Sequence, residues 1–241
     1  AFDGDGDRAA FVDNEGTVLS AEEATWILLD SFGPELTGRP LVLDLKFSDR
    51  IPETASGFGA EPLFERSGHA YLHARMLDTG APFGAATGGH YFFEATGGDD
   101  AGRYAACRWL AHLGRCGGAL ADLRRTLPAV FITPDLRVAV EPNCRDDVIE
   151  RVRAAWSHYP QTTVDGVRVS FPDGWALMRN SMTEPSLTFR FEAADWAALP
   201  QLVHGFCATL GDIGDALWRE YEIAVIGDAC QVLWKSNRDP G

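Results

Sequence analysis

Apolar positions recur along this chain at two spacings, every second residue in short runs and every third or fourth in longer ones. AAFV and TVL flank the turn DNEG, a hairpin-like start. Ser20 followed by Glu23 makes a capping box, and AEEATWILLDSF behind it sets Trp26, Ile27, Leu29 and Phe32 at helical spacing. GPELTGRP (33–40) reads as a linker. PLVLDLKF is a short β-run, AYLHARML (70–77) is helical, and PFGAATGGHYFF returns as an aromatic-ended strand. Asp99 and Asp100 stand where a cap would precede the helix RYAACRWLAHL, with ALADLRRTL as a second helix. Strands alternating with helices predict an α/β unit.

A second pattern starts near Leu127. AVFITPDLRVAVE is strand-like, and DDVIERVRAAW puts Val148, Ile149, Val152 and Trp156 on one helical face. TTVDGVRVSF and SLTFRFEA alternate as strands around the loop RNSMTEP, and Trp175 is expected in the core. WAALPQLVHGFCATL closes as a helix begun or kinked near Pro200, and ACQVLWKSNRDPG reads as a loose polar tail. This half is expected to be α+β.

Composition narrows the classes. A 46% apolar share with 23% charged residues is that of a soluble globular chain with one large core or two smaller ones. No apolar run approaches the ~18 residues of a membrane span, and no secretory leader opens the chain. No membrane partner and a cytoplasmic location are therefore expected. The chain opens on Ala1 inside a structured-looking segment, so its N-terminal part is expected to be missing. A net charge of −14 argues against nucleic-acid binding. Five scattered cysteines without a CxxC pair predict neither a disulfide scaffold nor a zinc site.

The chemistry concentrates in a few stretches. DGDGDR (3–8) sets Asp3, Asp5 and Asp7 between glycines and ends on Arg8. Like charges that close repel unless a cation neutralises them. An EF-hand loop begun at Asp3 would place Arg8 sixth and Asn14 twelfth, where Gly and Glu are required, so that calcium loop is excluded. Three carboxylates with open positions suit Mg²⁺ bridging to a phosphate oxygen, and Arg8 adds a planar fork for the same phosphate. A solvated acidic turn is the plain alternative. RNSMTEP (179–185) gathers Arg179, Ser181 and Thr183 with open backbone, a set able to dock a phosphate monoester, though a polar hairpin loop looks alike. His69 and His90 each follow small residues at an element boundary, where imidazole serves as general acid or base or as a structural hydrogen-bond partner. Lys46 ends a β-run, the place where open α/β sheets bind ligands.

In order along the chain, DGDGDR, AATGGH (85–90) and RNSMTEP resemble the metal loop, the GEMSGH-type sugar loop and the RxSNTEP-type phosphate loop of the α-D-phosphohexomutases. DLKFSDR, RSGHAYLHARM and LTFRFEA resemble family sequence in the expected places. The resemblance implies the end of a second domain with the metal loop (1–36), an α/β third domain for the sugar (37–127), and a TBP-like α+β fourth domain for phosphate (128–215). Residues 216–241 are left as an extension without a role. It further implies Mg²⁺ on Asp3, Asp5 and Asp7, with Arg8 near the transferring phosphoryl group. Lys46, His69 and His90 would line the cleft, His90 moving a proton at the sugar hydroxyl. Arg179, Ser181 and Thr183 would hold the non-transferring phosphate. The implied partners are mannose or glucose 1- or 6-phosphates and their bisphosphate intermediate, together with missing N-terminal domains of the same protein.

Three departures bear on this. The family's phosphoserine, phosphoryl donor and metal ligand, is not in this chain, which alone is expected to be inactive. The sugar-loop glutamate and serine are Ala86 and Gly88, and the phosphate-loop asparagine is Met182. These losses leave open a non-catalytic sugar-phosphate-binding relative. The remnant before residue 37 is expected to be the least ordered region, with open strand edges at 9–19.

Overall fold

The computed structural model describes residues 1–181 and 184–226, which divide between Ala129 and Val130 into two compact units. The first unit is built on a four-stranded sheet. Strands β1 (Pro40–Asp44), β2 (Glu61–Glu65), β3 (Phe83–Ala85) and β4 (Tyr91–Phe93) lie in the order β2-β1-β3-β4. β1 runs parallel to β2 and β3, whereas β4 is antiparallel to β3. Around them come helices α1 (Ala21–Phe32), α2 (Arg50–Gly57) and α3 (His69–Thr79), followed by α4 (Gly102–Cys116) and α5 (Leu120–Arg125). The chain leaves β1 for β2 on one side and returns through α3 to β3 on the other. The carboxyl end of β1 is thus a topological switch point, where crevices open in such sheets.

The capping box of α1 forms in full, with both the Ser20 side chain and the Glu23 side chain engaged. Its apolar face is fixed by tryptophans: Trp26 Nε1 donates to Thr54 at 2.6 Å, and Trp109 of α4 donates to the Ala24 carbonyl at 3.2 Å. Phe11 stacks on Trp109 with ring centroids 4.0 Å apart, and Ala9 and Leu19 are buried. Residues 9–19, expected to present open edges, are instead paired through the Phe2–Ala9 and Val12–Val18 bridges beside the Arg8–His90 bridge, with Ala9, Asp13 and Leu19 buried and residues 14–18 exposed. Asp13 accepts from the amides of Glu15 and Thr17, both at 2.9 Å, and from Arg124 at 2.8 Å.

Other expectations are corrected by the geometry. PFGAATGGHYFF is two strands, because Ala86 and Gly89 turn the chain back before Tyr91. Asp99 and Asp100 do not cap α4; Ala101 holds that position without a side-chain bond, and both carboxylates face histidines instead. α2 and β2 carry no strong sequence signal. β2 includes Pro62 and is accommodated as an edge strand.

The second unit is an antiparallel sheet ordered β5-β10-β9-β8-β7, in which β6 also pairs with β10. The strands are β5 (Phe131–Ile132), β6 (Leu136–Ala139), β7 (Gln161–Thr162), β8 (Val167–Phe171), β9 (Gly174–Asn180) and β10 (Ser186–Ala193). Helices α6 (Arg145–Ala155), α7 (Leu199–Cys207) and α8 (Asp212–Tyr221) close its core on Leu187, Phe189, Phe191, Val148, Val203 and Leu217. α7 starts beside Pro200 as expected but does not close the fold; α8 follows it, and a π-helical turn runs on to Ile226. The polar tail from residue 229 lies outside the described residues. On the other face of the sheet, buried Trp175 donates to Glu192 at 2.5 Å while the Arg168 guanidinium lies over its ring.

Candidate functional site

The metal-loop candidate, DGDGDR, is stitched to the loop carrying His90. The Ala9 amide donates to the Gly89 carbonyl at 3.0 Å, and Arg8 pairs with His90 in an isolated β-bridge. Gly89 has φ +85°, and a side chain there would meet the Ala9 carbonyl at 3.0 Å. The first residue of α4 presses on the same loop. A Cβ at Gly102 would stand 2.7 Å from the Arg8 carbonyl, so only glycine lets the helix approach this closely.

Within the loop the three carboxylates differ. Asp3 accepts from the Arg8 guanidinium at 2.6 Å and from its amide at 3.1 Å. The side-chain bond first, and the amide bond second, pull its carboxyl down to about 2. Asp7 moves the other way. Partial burial comes first, and then the negative field of Asp100, Asp5, Asp3 and Asp99 raises it above the ordinary carboxylate value. A field of that sign is relieved by a cation, so these carboxylates fit a hard divalent ion. Arg8 commits its Nε to Asp3, and its two terminal nitrogens lack a partner among the described residues. Arg103, which carries no motif in the sequence, lays its guanidinium over Gly6 and makes no ion pair among the described residues.

The histidines converge on one buried carboxylate. Asp100 accepts from His69 Nε2 at 3.0 Å through one oxygen and from His90 Nδ1 through the other. Asp99 shares His69 Nε2 at 3.0 Å, and the His69 and His90 rings stand 6.1 Å apart. With Nδ1 of His90 held by Asp100, Nε2 is the ring position left for proton exchange.

At the switch point, Asp44 ends β1, buried. It accepts from the Lys46 amide at 3.0 Å, from Ser67 at 2.6 Å and from Thr87 at 3.3 Å. One carboxylate therefore ties together the loops that follow β1, β2 and β3, which carry Lys46, His69 and the AATGGH segment. A cavity of about 420 Å³ lies between Asp3, Arg8 and Thr87–Gly89. It does not include Asp5, Asp7, His69 or His90.

In the second unit, Arg179 on β9 is buried and gives its Nε to Asp165 at 2.5 Å. Its Nη2 is buried without a partner among the described residues, a donor left for an anion. Ser181 follows β9, its Oγ accepting from the Glu184 amide at 3.3 Å. Thr183 and Met182 lie outside the described residues.

Two family models match this chain: phosphoglucomutase/phosphomannomutase alpha/beta/alpha domain III over residues 23–131, and the phosphoglucomutase/phosphomannomutase C-terminal domain over residues 135–208. The chain is 34% identical over 196 residues to a phosphomannomutase/phosphoglucomutase of Pseudomonas aeruginosa, covering 80% of this chain and 42% of that protein. It is 31% identical to a phosphoglucomutase of Neisseria meningitidis, covering 90% and 48%. A solved phosphoglucomutase/phosphomannomutase family protein from Burkholderia thailandensis superposes with a TM-score of 0.76 at 30% identity, over 93% of this chain and 46% of that one. The N-acetylphosphoglucosamine mutase of Aspergillus fumigatus, solved with GlcNAc-6P and magnesium, shares the fold with a TM-score of 0.61 at 15% identity, over 89% and 48%. The chain spans about half the length of the curated relatives it matches.

Proposed function

The chain belongs to the phosphoglucomutase/phosphomannomutase family, as a C-terminal part, and from that membership we propose that it is the sugar- and phosphate-binding portion of a Mg²⁺-dependent phosphohexomutase. The whole protein would interconvert hexose 1-phosphate and hexose 6-phosphate through a bisphosphorylated sugar, using a phosphoserine that lies outside this chain. The observation that carries the proposal is the convergence of His69, His90 and Asp100 with the acidic loop, on the face where the sheet switches direction.

Asp3, Asp5 and Asp7 would hold Mg²⁺, which when bound supplies positive charge beside the phosphoryl oxygens. His90, its ring fixed by Asp100, would take the proton from the attacking sugar hydroxyl at Nε2 and return it in the reverse half-reaction. His69 and Lys46 would orient the sugar from the adjoining loops. The terminal nitrogens of Arg8, and the guanidinium of Arg103, which makes no ion pair among the described residues, would meet phosphate oxygens near the loop. Arg179, Ser181 and Thr183 are assigned to the non-transferring phosphate, with Nη2 of Arg179 the donor that needs an acceptor.

A second reading, a non-catalytic sugar-phosphate binder, is favoured by Ala86 and Gly88, which offer the sugar no side-chain hydrogen bond. Titrating this chain with glucose 1,6-bisphosphate and Mg²⁺ while following amide and imidazole resonances tests binding in either case. Shifts at His90 and at Arg179 are expected. Saturating ligand that leaves both unmoved would remove the assignment.

A further inference from the structure

Away from the acidic loop, at the other end of α4, three side chains of different type meet. His112 and Cys116 are one turn apart on α4, and Asp30 comes from the last turn of α1. His112 Nε2 stands 3.0 Å from a carboxylate oxygen of Asp30 and 3.3 Å from the Cys116 sulfur. Nε2 is the nearer ring nitrogen for the sulfur, which lies 4.0 Å from Nδ1, and it is also the nitrogen that meets Asp30. A proton relay needs the two partners on opposite ring nitrogens, so nucleophile–base chemistry does not fit this cluster. Convergence of three donor atoms on one point does fit a metal ion.

The spacing agrees. For a tetrahedral ion with bonds near those of zinc to nitrogen, oxygen and sulfur, the N–O edge is about 3.3 Å and the N–S edge about 3.5 Å. The observed separations lie within a few tenths of an ångström of these, and all three ligand atoms lie within 4.8 Å of one another. Burial supports the same conclusion. The His112 ring is buried, which fixes its direction, while Asp30 and Cys116 are exposed, leaving a route for the ion and a fourth position for water. The donor set decides the metal: thiolate with imidazole and carboxylate selects Zn²⁺ or Co²⁺ over Mg²⁺, whereas the all-carboxylate loop has the opposite preference.

We propose that Asp30, His112 and Cys116 form a zinc-class metal site that clips the end of α4 to the end of α1. Binding removes the thiol proton of Cys116 to solvent and leaves the His112 proton on Nδ1, with Nε2 and the Asp30 carboxylate as the other ligands. α4 has its first residue against the DGDGDR loop and its last at this clip, about 20 Å further along the helix, so the two sites are separate. The sequence carries no sign of it because Asp30 and the His-x-x-x-Cys pair are far apart in the chain.

Cobalt titration of the full chain tests this, since thiolate-to-cobalt charge transfer reports sulfur ligation and the acidic loop has no sulfur. One equivalent is expected to bring up that band together with tetrahedral d–d bands. Zn²⁺ should abolish them, and excess Mg²⁺ should not. Cys116→Ser should lose the charge-transfer band, and Cys107→Ser, at another exposed cysteine, should keep it. Asp30→Asn, also exposed, should weaken zinc at least about tenfold. Absence of the band in the wild-type chain, or its survival in Cys116→Ser, overturns the site.

Discussion

Asp100 closes one carboxylate oxygen on Nδ1 of His90, and its other oxygen lies 3.0 Å from Nε2 of His69. A single buried acid therefore sets the orientation of both histidines, and it leaves His90 one ring nitrogen without that bond. Asp100→Asn keeps the shape but turns one oxygen into a donor, which favours the opposite His90 tautomer. Nitrogen-15 spectra of this chain should show His90 protonated at Nδ1 in the wild type and shifted toward Nε2 in the variant. On the proposed function, turnover by the whole protein should fall about 10–100-fold with KM nearly unchanged.

Gly102 tests the approach of α4 to the loop. Gly102→Ala puts a methyl group 2.7 Å from the Arg8 carbonyl and 2.9 Å from that of Gly6, so the loop must move. A loss of about 1–3 kcal/mol in chemical denaturation is expected, together with weaker Mg²⁺ binding. Gly114→Ala on the same helix meets nothing within 4 Å and should be neutral or stabilising.

Asp3 and Asp7 should titrate apart. Asp3, held down to about 2 by Arg8, stays ionised through the acid range, and the stability it contributes is lost only as pH falls toward that value. Asp7 is raised, so the folded chain holds its proton more tightly, and the stability from that proton is lost as pH rises through the raised value. Mg²⁺ held by the proposed loop would compete with that proton. Carbon-13 carboxyl titrations should show the Asp7 midpoint above that of Asp3 and moving down when Mg²⁺ is added; an Asp7 midpoint that ignores Mg²⁺ contradicts the metal assignment.

Motifs that are local in the chain are legible in the amino-acid order alone: the spacing of DGDGDR, the two Gly-His pairs, the Ser20 capping box and the alternation of SLTFRFEA each encode their own geometry. What is not legible depends on tertiary closure. Asp99 and Asp100 resemble a helix cap until β4 brings them beside His69 and His90. Asp44 looks like one more polar residue after a strand until three loops meet on it. Arg179 reads as the start of the polar loop RNSMTEP, yet it lies within β9, buried against Asp165 from the turn before β8. Residues 9–19 read as a loose remnant because their partners, Trp109 and Gly89, come much later in the chain.

Asp44→Ala should loosen all three switch-point loops at once. Ser67, the Lys46 amide and Thr87 lose their shared carboxylate acceptor, and about 1–3 kcal/mol of stability is expected to go with it. Hydrogen exchange should rise at residues 45–48, 66–69 and 86–90 together, whereas a change confined to one loop would show that Asp44 does not couple them.

The most direct measurement is phosphoryl transfer itself, in the natural polypeptide that carries this chain. Phosphorus NMR would follow mannose 1-phosphate and glucose 1-phosphate with Mg²⁺ and a trace of the bisphosphate, for the wild type and for Asp5→Ala. The account predicts conversion to the 6-phosphates by the wild type and a loss of about 100-fold or more in the variant. Wild-type turnover by Asp5→Ala, or a wild-type protein that binds sugar phosphate without converting it, would contradict it.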